Sequence, residues 1–175
     1  PYKTSVNGQP TTVAQFQMGY KGYIQLALRS GQYESINADE VFEGEISKRD
    51  KISGYYEFAG QKTSDKVIGY FAHIVLKNGF SKTFYMTVEQ LDAHAQKYSK
   101  SYNQSFSPWK SNKKEMCIKT VLKHILSVYG TLSVEMMNAF DNDIADEIEQ
   151  NANKENLSFQ QADVVKTDVK TISPT

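Results

Sequence analysis

Cysteine occurs once in the 175 residues, at Cys117, so there is no internal disulfide framework and a reducing compartment is the simpler setting. His73, His94 and His124 are scattered over different predicted elements, and neither a second cysteine nor an HExxH pattern supplies the usual zinc-ligand spacing. The chain also lacks a GxxxxGK[ST] loop and a GxGxxG turn, which leaves nucleotide hydrolysis and dinucleotide binding without sequence support. No apolar run approaches the length of a membrane span, and the opening PYKTSVNGQP is not a signal peptide. Net charge is missing too. Twenty Lys+Arg balance twenty Asp+Glu, which excludes a uniformly basic nucleic-acid binder and an acidic disordered chain poor in apolar residues.

What is present is a 19.8 kDa chain, long enough for one domain with a real core. Its neutrality hides an asymmetry. Up to Gly130 there are 17 basic and 11 acidic residues, and from Thr131 onward 3 and 9. A body of +6 and a tail of −6 point to a polyanionic partner, with the tail as a competitor or as a handle for another protein. The start at Pro1 rather than Met, with strand-like sequence close behind, leads to the expectation that part of the protein lies upstream.

Thr12–Met18 alternates as a half-buried strand should, and Tyr20–Ser30 then changes to a helical period that Gly31 ends. Three or four strands are expected next. Ser35–Ile46 alternates, Gly54 turns the chain into Tyr55–Phe58, and Val67–Leu76 is apolar at nearly every position, as a central strand covered on both faces would be. Asn78-Gly79 predicts a two-residue hairpin into Phe80–Met86. Thr87-Val88-Glu89-Gln90 has the capping-box pattern of a helix running to about Tyr98. After a polar loop over Ser99–Ser107, a helix is expected from about Asn112 to Tyr129, with Ile118, Val121, Leu122, Ile125 and Val128 inward and Gly130 as its stop. Phe140, Ile144 and Ile148 suit a weakly amphipathic extension, and disorder is expected from about Asn151. No internal repeat is visible. The fold class is α+β, with antiparallel strands and hairpins packed with three or four helices.

Two sets of residues invite a chemical reading. Asp39, Glu40, Glu43 and Glu45 lie on one predicted strand, and Asp39, Glu43 and Glu45 share a face, where Mg²⁺ could sit in a nuclease. A solvated outer strand is the plainer alternative. The second set is cationic. From Lys97 to Lys123 there are seven lysines, Lys97, Lys100, Lys110, Lys113, Lys114, Lys119 and Lys123, against Glu115 alone, interleaved with Tyr98, Tyr102, Phe106 and Trp109. Cations that follow phosphates, with flat rings for unpaired bases, are what sequence-tolerant single-strand binding requires; core aromatics beside a solvated lysine face are the alternative. Lys119 and Lys123 share a helical face with about 6 Å of rise between them, roughly two nucleotide steps. Lys21, Gln25 and Arg29 repeat that spacing on the first helix. Cys117 reads as a small packed thiol rather than a nucleophile.

FQMGYKGYIQLALRSGQY (Phe16–Tyr33), SDKVIGYFAHIVLKNGFSKTFYMT (Ser64–Thr87), HAQKYSKSY (His94–Tyr102), SPWKSNKKEMCIKTVLKHIL (Ser107–Leu126) and YGTLSVEM (Tyr129–Met136) resemble the RecT family of phage single-strand annealing recombinases, in the family's order. The resemblance implies an annealing core over residues 1–137, lacking an upstream helical portion, and an acidic tail over 138–175. It implies a protein without covalent chemistry or cofactor, ATP not required and Mg²⁺ entering only through DNA, that pairs complementary single strands as a homo-oligomeric ring or filament. On this resemblance the DNA-binding positions are Lys21, Gln25, Arg29, Lys97, Lys100, Trp109, Lys110, Lys119 and Lys123. The partners implied are single-stranded DNA, the annealed duplex intermediate, and for the tail a phage exonuclease or the host single-strand-binding protein, in the cytoplasm of a bacterial host without a membrane. Where the family's last helix carries two consecutive basic residues, this chain has Lys123 followed by His124, so the second charge depends on protonating an imidazole.

Overall fold

The computed structural model describes residues 18–99, 101–131 and 133–140, together with two N-terminal strands, β1 (Tyr2–Val6) and β2 (Gln9–Val13), which pair antiparallel. Of the strand expected over Thr12–Met18, residues 14–17 lie outside the described residues, and Met18 and Gly19 precede the first helix without strand structure. That helix, α1 (Tyr20–Arg29), gives way to Gly31, whose φ of 68° reverses the chain.

The central sheet is antiparallel in the order β3 (Tyr33–Phe42), β6 (Val67–Leu76), β7 (Ser81–Thr87). Its continuous apolar strand is indeed central. Alternation assigns the two faces of β6. Tyr70, Ala72, Ile74 and Leu76 are buried beneath the helices, while Phe71, His73 and Val75 are half-buried on the reverse face. A small antiparallel hairpin, β4 (Lys48–Asp50) with β5 (Tyr55–Glu57), overlies that reverse face. Tyr56 packs on Tyr85 with ring centroids 5.4 Å apart, and Phe58 on Phe71 at 5.0 Å.

Two turns differ from expectation. The strand predicted over Ser35–Ile46 stops at Phe42, because Gly44 takes a φ of 93° and the chain folds back so that Glu45 N–H donates to the Phe42 carbonyl. The β6–β7 loop holds three residues rather than two. Leu76 N–H donates to the Phe80 carbonyl and Gly79 N–H to the Leu76 carbonyl, while Gly79 alone among the loop's residues is a glycine at positive φ (86°). This is a tight turn followed by a glycine bulge, which accommodates the sheet twist as well as the two-residue form does.

Three helices follow. The predicted capping box opens α2 (Val88–Tyr98): Thr87 Oγ1 accepts from Gln90 N–H at 3.2 Å, and Gln90 Oε1 from Thr87 N–H at 3.0 Å. The expected loop leads to a short α3 (Pro108–Ser111), with Ser107 as its cap, and then to α4 (Lys113–Tyr129). α4 lies across the sheet, burying Cys117, Ile118, Val121, Leu122, Ile125 and Leu126 in one cluster with Tyr23 and Ala27 of α1, Leu91 and Ala95 of α2, and Trp109 of α3. Val128, expected inward, is 56% exposed. Residues 134–140 are helical and add Met136, Ala139 and Phe140 to the same core. Burial pushes the Cys117 thiol up to about 11.

Gly69 marks the closest approach within the sheet, since a Cβ there would collide with the Met86 carbonyl and the Tyr85 ring. Gly69→Ala is expected to cost about 1–3 kcal/mol of stability, read as a lower denaturation midpoint at unchanged slope.

Candidate nucleic-acid interface

Two of the cationic candidates are held by carboxylates of other elements, and several others lie on the helix pair α1–α4. Lys113 Nζ lies 2.8 Å from Asp92 of α2, and Lys114 Nζ lies 3.1 Å from both Asp39 and Glu40 of β3. Both ammonium groups are held above their ordinary pKa, first by these hydrogen bonds. The sequence run contains only Glu115 as an opposing charge, but the fold brings carboxylates from two other elements, and two of the seven lysines are thereby committed.

Lys119 and Lys123 are half-buried on the flank of α4 turned away from the sheet. Lys119 Nζ lies 5.8 Å from the centre of the Tyr23 ring, a cation–π contact that sets this charge at the seam between α4 and α1. Tyr23 is fully buried, so its ring is a floor for the ammonium rather than a platform for a base. Lys21, Gln25 and Arg29 are all exposed, about half a turn round α1 from the buried Tyr23 and Ala27. The fold therefore puts both predicted stripes on one helix pair, without making them the opposing walls of a trough.

The other candidates lie elsewhere. Lys97 is exposed in the last turn of α2, with its Nζ 5.0 Å from the Tyr98 ring centre. Lys110 is exposed on α3 and donates to the Asn103 carbonyl at 3.2 Å. Lys100 lies outside the described residues. Trp109 is only 6% exposed and meets Tyr102 edge-on at 6.2 Å, so its ring is used for packing and presents no open face. Phe106, by contrast, is 77% exposed in the loop before α3.

The carboxylate row disperses. Asp39 pairs with Lys114, Glu43 accepts from Ser64 Oγ at 2.8 Å, and Glu45 folds back to accept from Phe42 N–H at 2.7 Å. Glu43 and Glu45 fall beyond the end of β3, so they no longer share a strand face with Asp39. Among the described residues no group of three or more His, Cys, Asp or Glu converges in a way that could hold a metal, so Asp39, Glu43 and Glu45 do not assemble into one.

Two features escaped the sequence reading. Tyr23 under Lys119 is visible only once α1 and α4 are packed together. Arg49, 5.6 Å from the Tyr56 ring centre, extends the aromatic strip on the reverse face of the sheet; the closely spaced Arg49, Tyr55, Tyr56 and Phe58 were its signal.

This is an α+β domain whose helix pair α1–α4 carries Lys21, Arg29, Lys119 and Lys123. Comparison with known proteins identifies the lineage. The RecT family model matches residues 1–156, and the chain belongs to that family. It is 52% identical over 127 residues to the Bacillus subtilis (strain 168) protein named "Uncharacterized protein YqaK", a match covering 72% of this chain and 43% of that one. It is 31% identical over 138 residues to "Protein RecT" of Escherichia coli (strain K12), covering 74% and 47% respectively. The chain thus spans under half the length of the relatives it matches.

His124 tests the electrostatics of this face. Its ring stacks on Phe84 with centroids 3.9 Å apart, and the lost hydration lowers its pKa; burial also lowers that of His73, whose Nδ1 is 2.8 Å from Thr83 Oγ1. A base with a depressed pKa in the folded state binds fewer protons there than in the unfolded chain. Stability is therefore expected to hold above about pH 6.5, the ordinary imidazole value, and to fall as the pH drops through the folded values. Denaturant midpoints measured from pH 7.5 to 5 should show this fall, and His124→Phe should shrink it.

Proposed function

We propose that this chain binds single-stranded DNA and anneals complementary strands during homologous recombination, without ATP. Family membership supports this reading, and the observation that carries it at the level of residues is Lys119 held at the α1–α4 seam, with Lys123 one turn further along the same flank. The contact residues are Lys119 and Lys123, the α1 stripe of Lys21, Gln25 and Arg29, and Lys97, Lys100 and Lys110 as outlying phosphate contacts; Trp109 supports them from the core.

The mechanism is electrostatic and entropic. Cations that neutralise neighbouring phosphates release counterions and lessen the repulsion between two strands. A homo-oligomer, ring or filament, repeats these contacts along the strand and holds many bases in a shared orientation, so that the second strand meets an ordered partner. Pairing then drives itself, because duplex stacking contributes about 1.4 kcal/mol per step and a matched tract outruns a mismatched one as it lengthens. No side chain has to read sequence or make a covalent bond, and any Mg²⁺ acts through the DNA. The same reading places the protein in the bacterial cytoplasm, with a phage exonuclease or the host single-strand-binding protein as partners.

Lys119→Ala combined with Lys123→Ala is expected to weaken binding to oligo-dT and to flatten the log–log dependence on salt by up to two phosphate contacts, a change in slope of about 1.5. An unchanged slope would remove these lysines from the interface. Mixing complementary oligonucleotides with the protein and no ATP should give duplex faster than the protein-free control; a rate equal to the control would leave only a strand-coating role.

A further inference from the structure

The loop between α2 and α3 leaves one large aromatic side chain in solvent while the fold holds the backbone around it. Phe106 is 77% exposed, and among the described residues its ring makes no aromatic or cation contact. The next residue, Ser107, is fully buried, and its hydroxyl accepts from Trp109 N–H at 3.3 Å as the cap of α3. Two turns lead up to it. Gln104 N–H donates to the Ser101 carbonyl at 2.9 Å, and Ser107 N–H donates to the Gln104 carbonyl at 3.2 Å. Lys110 Nζ reaches back to the Asn103 carbonyl at 3.2 Å, which ties α3 to the same loop.

A single exposed apolar residue is ordinary on a protein surface, so the surroundings of this one decide its meaning. From Ala93 to Lys114 the chain has no Asp or Glu and carries Lys97, Lys100, Lys110, Lys113 and Lys114. Lys113 and Lys114 are engaged by Asp92, Asp39 and Glu40. Lys110 is exposed and bonded to a neutral carbonyl, which leaves its charge uncompensated. Asn103, Gln104 and Ser105 are exposed as well. An apolar protein surface covering the ring would have to desolvate these amides and the ammonium, and an acidic peptide would use the ammonium without the ring. An unpaired nucleotide suits both, since its base offers a flat π-face and its phosphate a negative charge.

We propose that Phe106 is a base-stacking platform, on which one unpaired base of a bound single strand lies, with Lys110 serving the adjoining phosphate. The inference rests on the single-strand-binding reading above and adds a contact that prefers unpaired to paired nucleic acid, because a base inside a duplex has both faces covered. The ring thus holds a strand before pairing and releases it as the duplex forms.

The test titrates the whole chain into fluorescent oligo-dT, into an abasic strand of the same length, and into duplex. Phe106→Ala is expected to weaken oligo-dT binding about tenfold at an unchanged salt slope, and to leave abasic-strand and duplex binding within about twofold of the parent. Phe106→Trp keeps a flat ring and should retain the parent's affinity, whereas Phe106→Leu, apolar without being flat, should behave as the alanine variant. No loss on oligo-dT, an equal loss on the abasic strand, or full recovery with leucine would each overturn the inference and leave the DNA-binding reading standing. An alanine variant that sediments as smaller species without DNA would overturn it too, since the ring would then be a contact between copies. A parent that fails to bind oligo-dT would remove both.

Discussion

Burial of one face of α4 against the central sheet is the constraint from which the other arrangements follow. Ile118, Val121, Leu122 and Ile125 close over Tyr70, Ala72 and Ile74, each large aliphatic side chain contributing about 1.5–3 kcal/mol. Exposed ion pairs such as those of Lys113 and Lys114 contribute at most about 1 kcal/mol each. Apolar packing therefore decides where the helix lies, and the ion pairs follow. Because the sheet takes one side of α4 and α1 flanks it, Lys119 comes to the seam between the two helices, half-buried over the Tyr23 ring.

Much of this architecture can be read from the chain. A continuous apolar run locates β6, the helical period locates α1 and α4, and the Thr87–Gln90 box that opens α2 is reproduced hydrogen bond for hydrogen bond, because each of these features is local. What escapes is set by contacts distant in sequence. Nothing near Lys114 announces that Asp39 and Glu40, some seventy-five residues earlier, will engage it. Trp109 sits among lysines in the sequence and among apolar side chains in the fold. The alternation of Ser35–Ile46 continues past Phe42 although the strand does not, since Gly44 and the return of Glu45 override the pattern.

The candidate interface shows the same division. Spacing identifies the stripe of Lys21, Gln25 and Arg29 and the pair Lys119 and Lys123, and the fold adds that both belong to one helix pair. The helical period separates the α1 stripe from Ala27, but that Tyr23 is buried while Leu28 is exposed depends on the helix's neighbours in the fold. Family membership and this geometry are independent. The first connects the chain to proteins of more than twice the matched length, and the second concerns the cations this segment carries itself.

The single thiol gives the core an internal clock. Cys117 is fully enclosed beneath α4, and its thiolate, the form that reacts, is suppressed by the same burial. An alkylating reagent can reach it only while α4 lifts from the sheet, so the rate of its modification measures how often the protein opens there. With one cysteine in the chain, that signal comes from a single known position.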